Sequence, residues 1–339
     1  MTRMFLAFLL LTLASCQQPA GPGIGLAPGR VLKVDDLRPD ADRRLASLLA
    51  GTDSDHRVFK RYNPNGPAQW SSAWTRRFDM TGIAWNRKRA GTAITPRHIV
   101  YAAHYQHKIG TKLVFHDRTG KPHTRKVVAG SGRLVLPSGW RTDIAVGLLD
   151  KPLPPSIKTY RLLPPRSDYD QILPGCPVLV TEQKRTLRIH QVRNLYNKNI
   201  AFLRNDRVSE LHYKGLVVGD SGHPSFLIVG GEPVLLETHT GGGSGSGPFY
   251  SDPEVFKELR KAVAKLDSNY SVQTVPLDPA PIGTPAVVPK PRPNKRVGVI
   301  PPPSKKQDPS PPSPTVQPTK QKEADTTRRP RVRRVPTTD

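Results

Sequence analysis

The 339-residue sequence predicts an all-β domain that ends in a helix, followed by a disordered, proline-rich basic tail. Three observations carry this. From about residue 53 to 268, short apolar runs alternate with Gly, Pro and Asn turn signals, which is the pattern of many short strands. Pro253 to Leu266 (PEVFKELRKAVAKL) sets Val255, Phe256, Leu259, Val263 and Leu266 at three- and four-residue steps, as an amphipathic helix does. From Asn269 to Asp339 prolines crowd together (Pro301-Pro302-Pro303, Pro309, Pro311, Pro312, Pro314) among basic clusters such as Lys305-Lys306 and Arg333-Arg334. Such a segment has too little apolar surface to offset the entropy of ordering, and reads as an extended arm with polyproline II character.

Met1 to Cys16 (MTRMFLAFLLLTLASC) joins a basic start at Arg3 to an apolar run from Phe5 to Leu13. The run is too short to span a bilayer and reads as a secretory signal. Leu13-Ala14-Ser15-Cys16 looks like a bacterial lipobox, in which Cys16 takes lipid and becomes the first mature residue. The expected protein is then exported and membrane-anchored in a bacterial cell envelope. The alternative is an ordinary signal cleaved nearby, giving a soluble secreted or periplasmic protein. Residues 17–52 read as a tether and a short helix, Asp40 to Leu49, with Leu45, Leu48 and Leu49 on one side.

Within the domain the expected strands include Gly82–Trp85, Lys112–Phe115, Arg133–Leu136, Val178–Val180, Ile200–Leu203, Leu216–Val218, Phe226–Val229 and Val234–Leu236. A stretch of about 215 residues suffices for one substantial core. Only two cysteines exist, Cys16 and Cys176; with Cys16 lipidated the exported fold holds no disulfide, and Cys176 reads as a small buried apolar residue.

The most informative stretch is Val218-Gly219-Asp220-Ser221-Gly222-His223-Pro224. Glycines on both sides of Asp-Ser imply a backbone turn that a Cβ would strain. Such a turn projects a serine hydroxyl and lets nearby amides converge on one point, the arrangement of a nucleophile and an oxyanion hole. A plain β-turn uses the same residue types. Two upstream stretches separate these readings: Val100-Tyr101-Ala102-Ala103-His104, and Thr142-Asp143-Ile144-Ala145-Val146. A serine needs an imidazole to take its proton and a carboxylate to orient that imidazole, and the chain supplies them in the order His, Asp, Ser.

Over about residues 80 to 260 these motifs resemble those of the trypsin/chymotrypsin-like serine peptidases, in a disulfide-free bacterial form. The resemblance implies two packed antiparallel β-barrels, with His104 and Asp143 from the first and Ser221 from the second. It implies a serine endopeptidase acting on protein or peptide substrates through an acyl-enzyme, with the amides of Gly219 and Ser221 as oxyanion hole, and with no metal or cofactor. His98, His107, His223 and Asp150 compete for the catalytic roles, but His98 belongs to the turn ahead of the strand, His107 sits on the exit of the Ala-Ala-His motif, the turn should point His223 elsewhere, and Asp150 lies past the strand that Asp143 opens. His223 stands where the family has glycine. In the animal enzymes the acid matching Asp220 pairs with a freshly cut N-terminus, which a lipidated Cys16 could not provide. The implied substrate pocket involves Gly215, His239 and Gly241. Gly215 stands where trypsin-like enzymes carry an acid, so a basic P1 residue has no support. His239-Thr240-Gly241-Gly242 is similar to the His-x-Gly-Gly of bacterial glutamyl endopeptidases, which raises an acidic P1 residue as one expectation.

The net charge of +25 is shared by tail and domain. Basic tails usually meet nucleic acid, but an exported protein encounters little of it. Anionic envelope polymers are the expected partner of the tail, and a solvated tail with no partner is the other option. A catalytically inactive, protease-like binding protein of the envelope is the alternative function.

Overall fold

The computed structural model describes residues 31–50, 54–86 and 89–278. The first 30 residues, with the expected signal and Cys16, and the residues beyond Asp278 lie outside the described residues.

Twelve strands build two six-stranded antiparallel sheets. The first comprises β1 (Ile83–Asn86), β2 (Arg89–Ala93), β3 (His98–Ala102), β4 (Lys112–His116), β5 (Pro122–Val135) and β6 (Arg141–Leu149), in the order β1-β2-β3-β6-β5-β4. The second comprises β7 (Pro177–Thr181), β8 (Leu187–Tyr196), β9 (Asn199–Arg204), β10 (Pro224–Val229), β11 (Glu232–Thr238) and β12 (Ser246–Pro248), in the order β11-β10-β7-β8-β9-β12. In each sheet the two edge strands pack against one another, so both are barrel-like. Closure removes the exposed edges that an open sheet would present.

Period-two alternation explains why the strands read as unbroken apolar runs. In β3, Ile99 and Tyr101 fill the first barrel while Val100 faces the other barrel. In β6, Ala145 and Leu149 point inward while Ile144 and Val146 join that same inter-barrel layer. From the second barrel the layer receives Leu179, Ile189, Phe226, Ile228 and Leu235. Both faces of these strands are buried, so no polar face breaks the run.

The helix α1 (Leu37–Leu49) begins earlier than Asp40, and packs through Leu37 and Ala41 on the core of the second barrel. Its buried Asp40 is paired with Arg44 at 2.6 Å. The helix α2 (Pro253–Leu266) starts on Asp252, whose carboxylate accepts from the amides of Glu254 and Val255, and Pro253 occupies the first turn. Val255, Phe256, Leu259 and Val263 are buried in the inter-barrel layer.

Two expectations need correction. The domain does not end at residue 268: Val272 and Val275 are buried, and Leu277–Asp278 pairs in parallel with Leu32–Lys33. A β-branched residue at each buried position holds this segment on the body, and the proline-rich composition begins only beyond it. The run Leu216–Val218 is not a strand. Leu216 forms one isolated bridge, to Gly243, and the amide of Val217 donates to the Asp220 carboxylate instead of to a strand partner.

Candidate active site

His104 lies on a single 3-10 turn, Ala103–Tyr105, that follows directly from β3. Asp143 is the third residue of β6, which pairs with β3 through Ala102 and Ile144. That register brings the two side chains together. The imidazole donates Nδ1–H to Asp143 Oδ2 at 2.5 Å, and the His104 amide donates to Oδ1 at 2.8 Å. Two donors from one residue fix the ring's plane and its tautomer. With the proton on Nδ1, Nε2 presents a lone pair, and it has no partner among the described residues.

A third group reaches this carboxylate. Arg133 on β5 places its guanidinium 3.2 Å from Asp143 Oδ1. The β5–β6 register sets Arg133 opposite Ala145, one step along the same face from Asp143. This contact depends on a pairing register that no local pattern announces, and sequence reasoning missed it.

Ser221 sits in the loop before β10, half-buried. The loop comes against the first barrel at Gly222: a β-carbon there would lie 3.5 Å from the Ala102 amide nitrogen, two residues before His104. Gly219 and Gly222 adopt φ of +102° and +85°. Both values belong to the left-handed region that glycine enters freely, as the sequence implied. At Gly219 a β-carbon would also meet the Gln183 side-chain amide at 2.8 Å. The amides of Gly219 and Ser221 donate to no acceptor among the described residues. Ser221 Oγ makes no hydrogen bond among the described residues either, and so none to His104.

Asp220 is buried, and both its oxygens are used. Oδ1 accepts from the Gln183 amide at 3.1 Å and Oδ2 from the Val217 amide at 2.7 Å. Gln183 adds a second strut, donating from Nε2 to the Val218 carbonyl at 3.1 Å. The loop is therefore held by backbone amides and needs no terminal amine for this carboxylate.

The competing residues are engaged elsewhere. His223 is fully buried against Trp85 and donates Nδ1–H to the Asp220 carbonyl at 3.1 Å; burial lowers its pKa to about 4. His107 donates Nε2–H to the Ala90 carbonyl, and burial lowers it to about 4 as well. His98 bonds Thr95 Oγ1 at 2.8 Å. Asp150 accepts the Lys126 amide at the far end of β6. Cys176 is buried, which pushes its thiol up to about 12, and it acts as a core residue.

The pocket residues are less open than the resemblance implies. His239 is buried with both ring nitrogens engaged: Nε2 faces the Thr181 carbonyl at 3.1 Å and Nδ1 faces Glu237 Oε1 at 2.8 Å. A carbonyl only accepts, so Nε2 carries a proton toward Thr181 and is not offered to a substrate. Ser225 Oγ donates to the same Glu237 oxygen at 2.5 Å. Gly241 is bridged to Ser246, and Gly215 runs beside Gly243. Two surface hollows, of about 160 and about 740 Å³, lie around Tyr169 and Lys198 and around Arg38 and Asp168, and neither is lined by His104, Asp143 or Ser221. His104 and Asp143 come from the first barrel and Ser221 from the loop that enters β10 of the second. Among the described residues no group of three or more His, Cys, Asp or Glu side chains is placed to hold a metal ion.

No protein-family model matches the chain, and no curated protein matches it.

Proposed function

We propose that this chain is a serine endopeptidase of the trypsin/chymotrypsin-like kind. The observation that carries the reading is the His104–Asp143 pair: one carboxylate holds both the amide and the Nδ1–H of one histidine, leaving Nε2 basic and exposed. In the reaction Ser221 Oγ attacks the scissile carbonyl as its proton passes to Nε2. Asp143 stabilises the imidazolium that forms. The carbonyl oxygen becomes an oxyanion received by the amides of Gly219 and Ser221. Collapse expels the amine, which takes the proton from Nε2 and leaves an ester on Ser221. Water, deprotonated by the same nitrogen, then releases the acid and restores the hydroxyl.

The experiment is labelling with a fluorophosphonate probe, together with cleavage of a mixed peptide library. The wild type should label and cleave, and Ser221→Ala should do neither while unfolding at the same temperature. Labelling that survives in Ser221→Ala would sink the assignment. The second reading, an inactive protease-like binding protein, is favoured by the absence of a Ser221–His104 hydrogen bond, and an unlabelled, folded wild type would select it.

The same proposal includes export and anchoring through Cys16, and contact of the basic tail with anionic envelope polymers. Its support is the sequence of the first sixteen residues and the charge of the tail. Cys16→Ser should move the protein from the membrane fraction to the soluble exported fraction.

A further inference from the structure

We propose that Leu216 restricts this protein to substrates with glycine or alanine at P1, the residue before the scissile bond. The proposal rests on the peptidase reading. By the resemblance to the trypsin/chymotrypsin-like peptidases, the P1 side chain of an acyl group on Ser221 would be directed toward the space between two segments: the one entering the nucleophile loop (Gly215–Val217) and the hairpin after His239 (Thr240–Gly243). Here the two segments are bonded to each other. Leu216 N donates to the Gly243 carbonyl at 2.6 Å, and Gly243 N donates to the Leu216 carbonyl at 3.1 Å. Backbones paired in this way stand about 5 Å apart, and no side chain passes between them.

The space behind the pairing is filled as well. The Leu216 side chain is only 5% exposed; its Cδ1 would lie 2.9 Å from a β-carbon at Gly245, and the Phe202 ring 3.3 Å from the same point. His239 Nδ1 lies 3.7 Å from that point and is already committed to Glu237. A negatively charged P1 group would face the Glu237 carboxylate there, and burying it unpaired is costly. What remains is a shallow dent made by two glycines. A β-carbon at Gly242 would touch only the Leu216 carbonyl, at 3.5 Å. One at Gly215 would touch the Gly243 carbonyl at 3.5 Å and Tyr213 Oη at 3.9 Å. A methyl group fits this space, and a longer side chain meets either the paired backbones or Leu216.

The test uses the full-length protein on peptides that differ only at P1: Gly, Ala, Val, Leu, Phe, Glu and Arg. Peptides with Ala or Gly should be cleaved with kcat/KM at least about 100-fold above Phe, Glu or Arg, since pocket walls reject added methylenes by about tenfold or more each. Leu216→Ala removes the stopper, and should raise cleavage after Val and Leu at least about tenfold relative to Ala. Leu216 is a core residue, so an independent variant is needed. Gly242→Val fills the dent from an open position; it should reduce cleavage after Ala at least about tenfold, with fluorophosphonate labelling of Ser221 retained. A wild type that labels but prefers Phe, Leu, Glu or Arg overturns this proposal and leaves the peptidase reading standing. A wild type that neither labels nor cleaves any of these peptides removes the peptidase reading itself, and this proposal with it.

Discussion

At Gly219 a single missing β-carbon decides two things. The φ of +102° is open to glycine, and the space a side chain would need is held by the Gln183 amide. Gly219→Ala should therefore tilt the peptide that supplies one oxyanion donor, lowering kcat by about two to three orders of magnitude. The strain itself should cost about 1–2 kcal/mol of stability by urea unfolding. Asp143→Asn tests the other half of the site. An amide in place of the carboxylate would turn its NH₂ toward the histidine and favour the wrong tautomer, and a fall in kcat of about 10⁴ is expected. A loss under tenfold would mean that Arg133 and the His104 amide, not the Nδ1–H bond, set the ring. Arg133, Gln183 and Leu216 carry no local signal in the sequence, because each matters through a neighbour more than nine residues away along the chain.

Among the elements, the loop from Val217 to His223 is organised by the Asp220 carboxylate on two backbone amides and by the Gln183 and His223 side chains on loop carbonyls. An added N-terminal extension should leave the rate of fluorophosphonate labelling unchanged, whereas an enzyme that must be cut to order this loop would label only after proteolysis. The segment after α2 makes a separate prediction. Val272 and Val275 are buried, the Leu162 amide donates to the Gln273 carbonyl, and the Val275 amide donates to the Leu162 carbonyl. Burying a valine contributes about 1.5–3 kcal/mol. A chain ending at Asp278 should thus be more stable than one ending at Ser268 by several kcal/mol, read from urea midpoints. Equal midpoints would show that the segment only lies on the surface.

Across the whole molecule, histidine burial sets the response to acid. His56, His98, His107, His190 and His223 are all buried, and desolvation lowers each to about 4 from an ordinary 6.5. Between those values the unfolded chain binds protons that the folded chain does not, so stability falls as pH drops through this window. The stabilisation is fully present above pH 6.5 and is lost progressively toward pH 4. At pH 5 unfolding should take up about four protons, measurable as the slope of unfolding free energy against pH. A flat profile between pH 6.5 and 4.5 would mean that water reaches these rings.

The sequence by itself determined the all-β class, the terminal helix, and the three residues proposed for catalysis. These are local properties: alternation within a strand, spacing along a helix, and short motifs whose chemistry is carried by adjacent residues. Only the tertiary structure decided which partners surround them. The pairing of Leu216 with Gly243, the approach of Arg133 to Asp143, the two amides on Asp220, and the inward engagement of His239 all follow from strand register and barrel closure. A shift of one residue in register turns a side chain to the opposite face, and nothing in the local pattern of a strand buried on both faces distinguishes one register from the next.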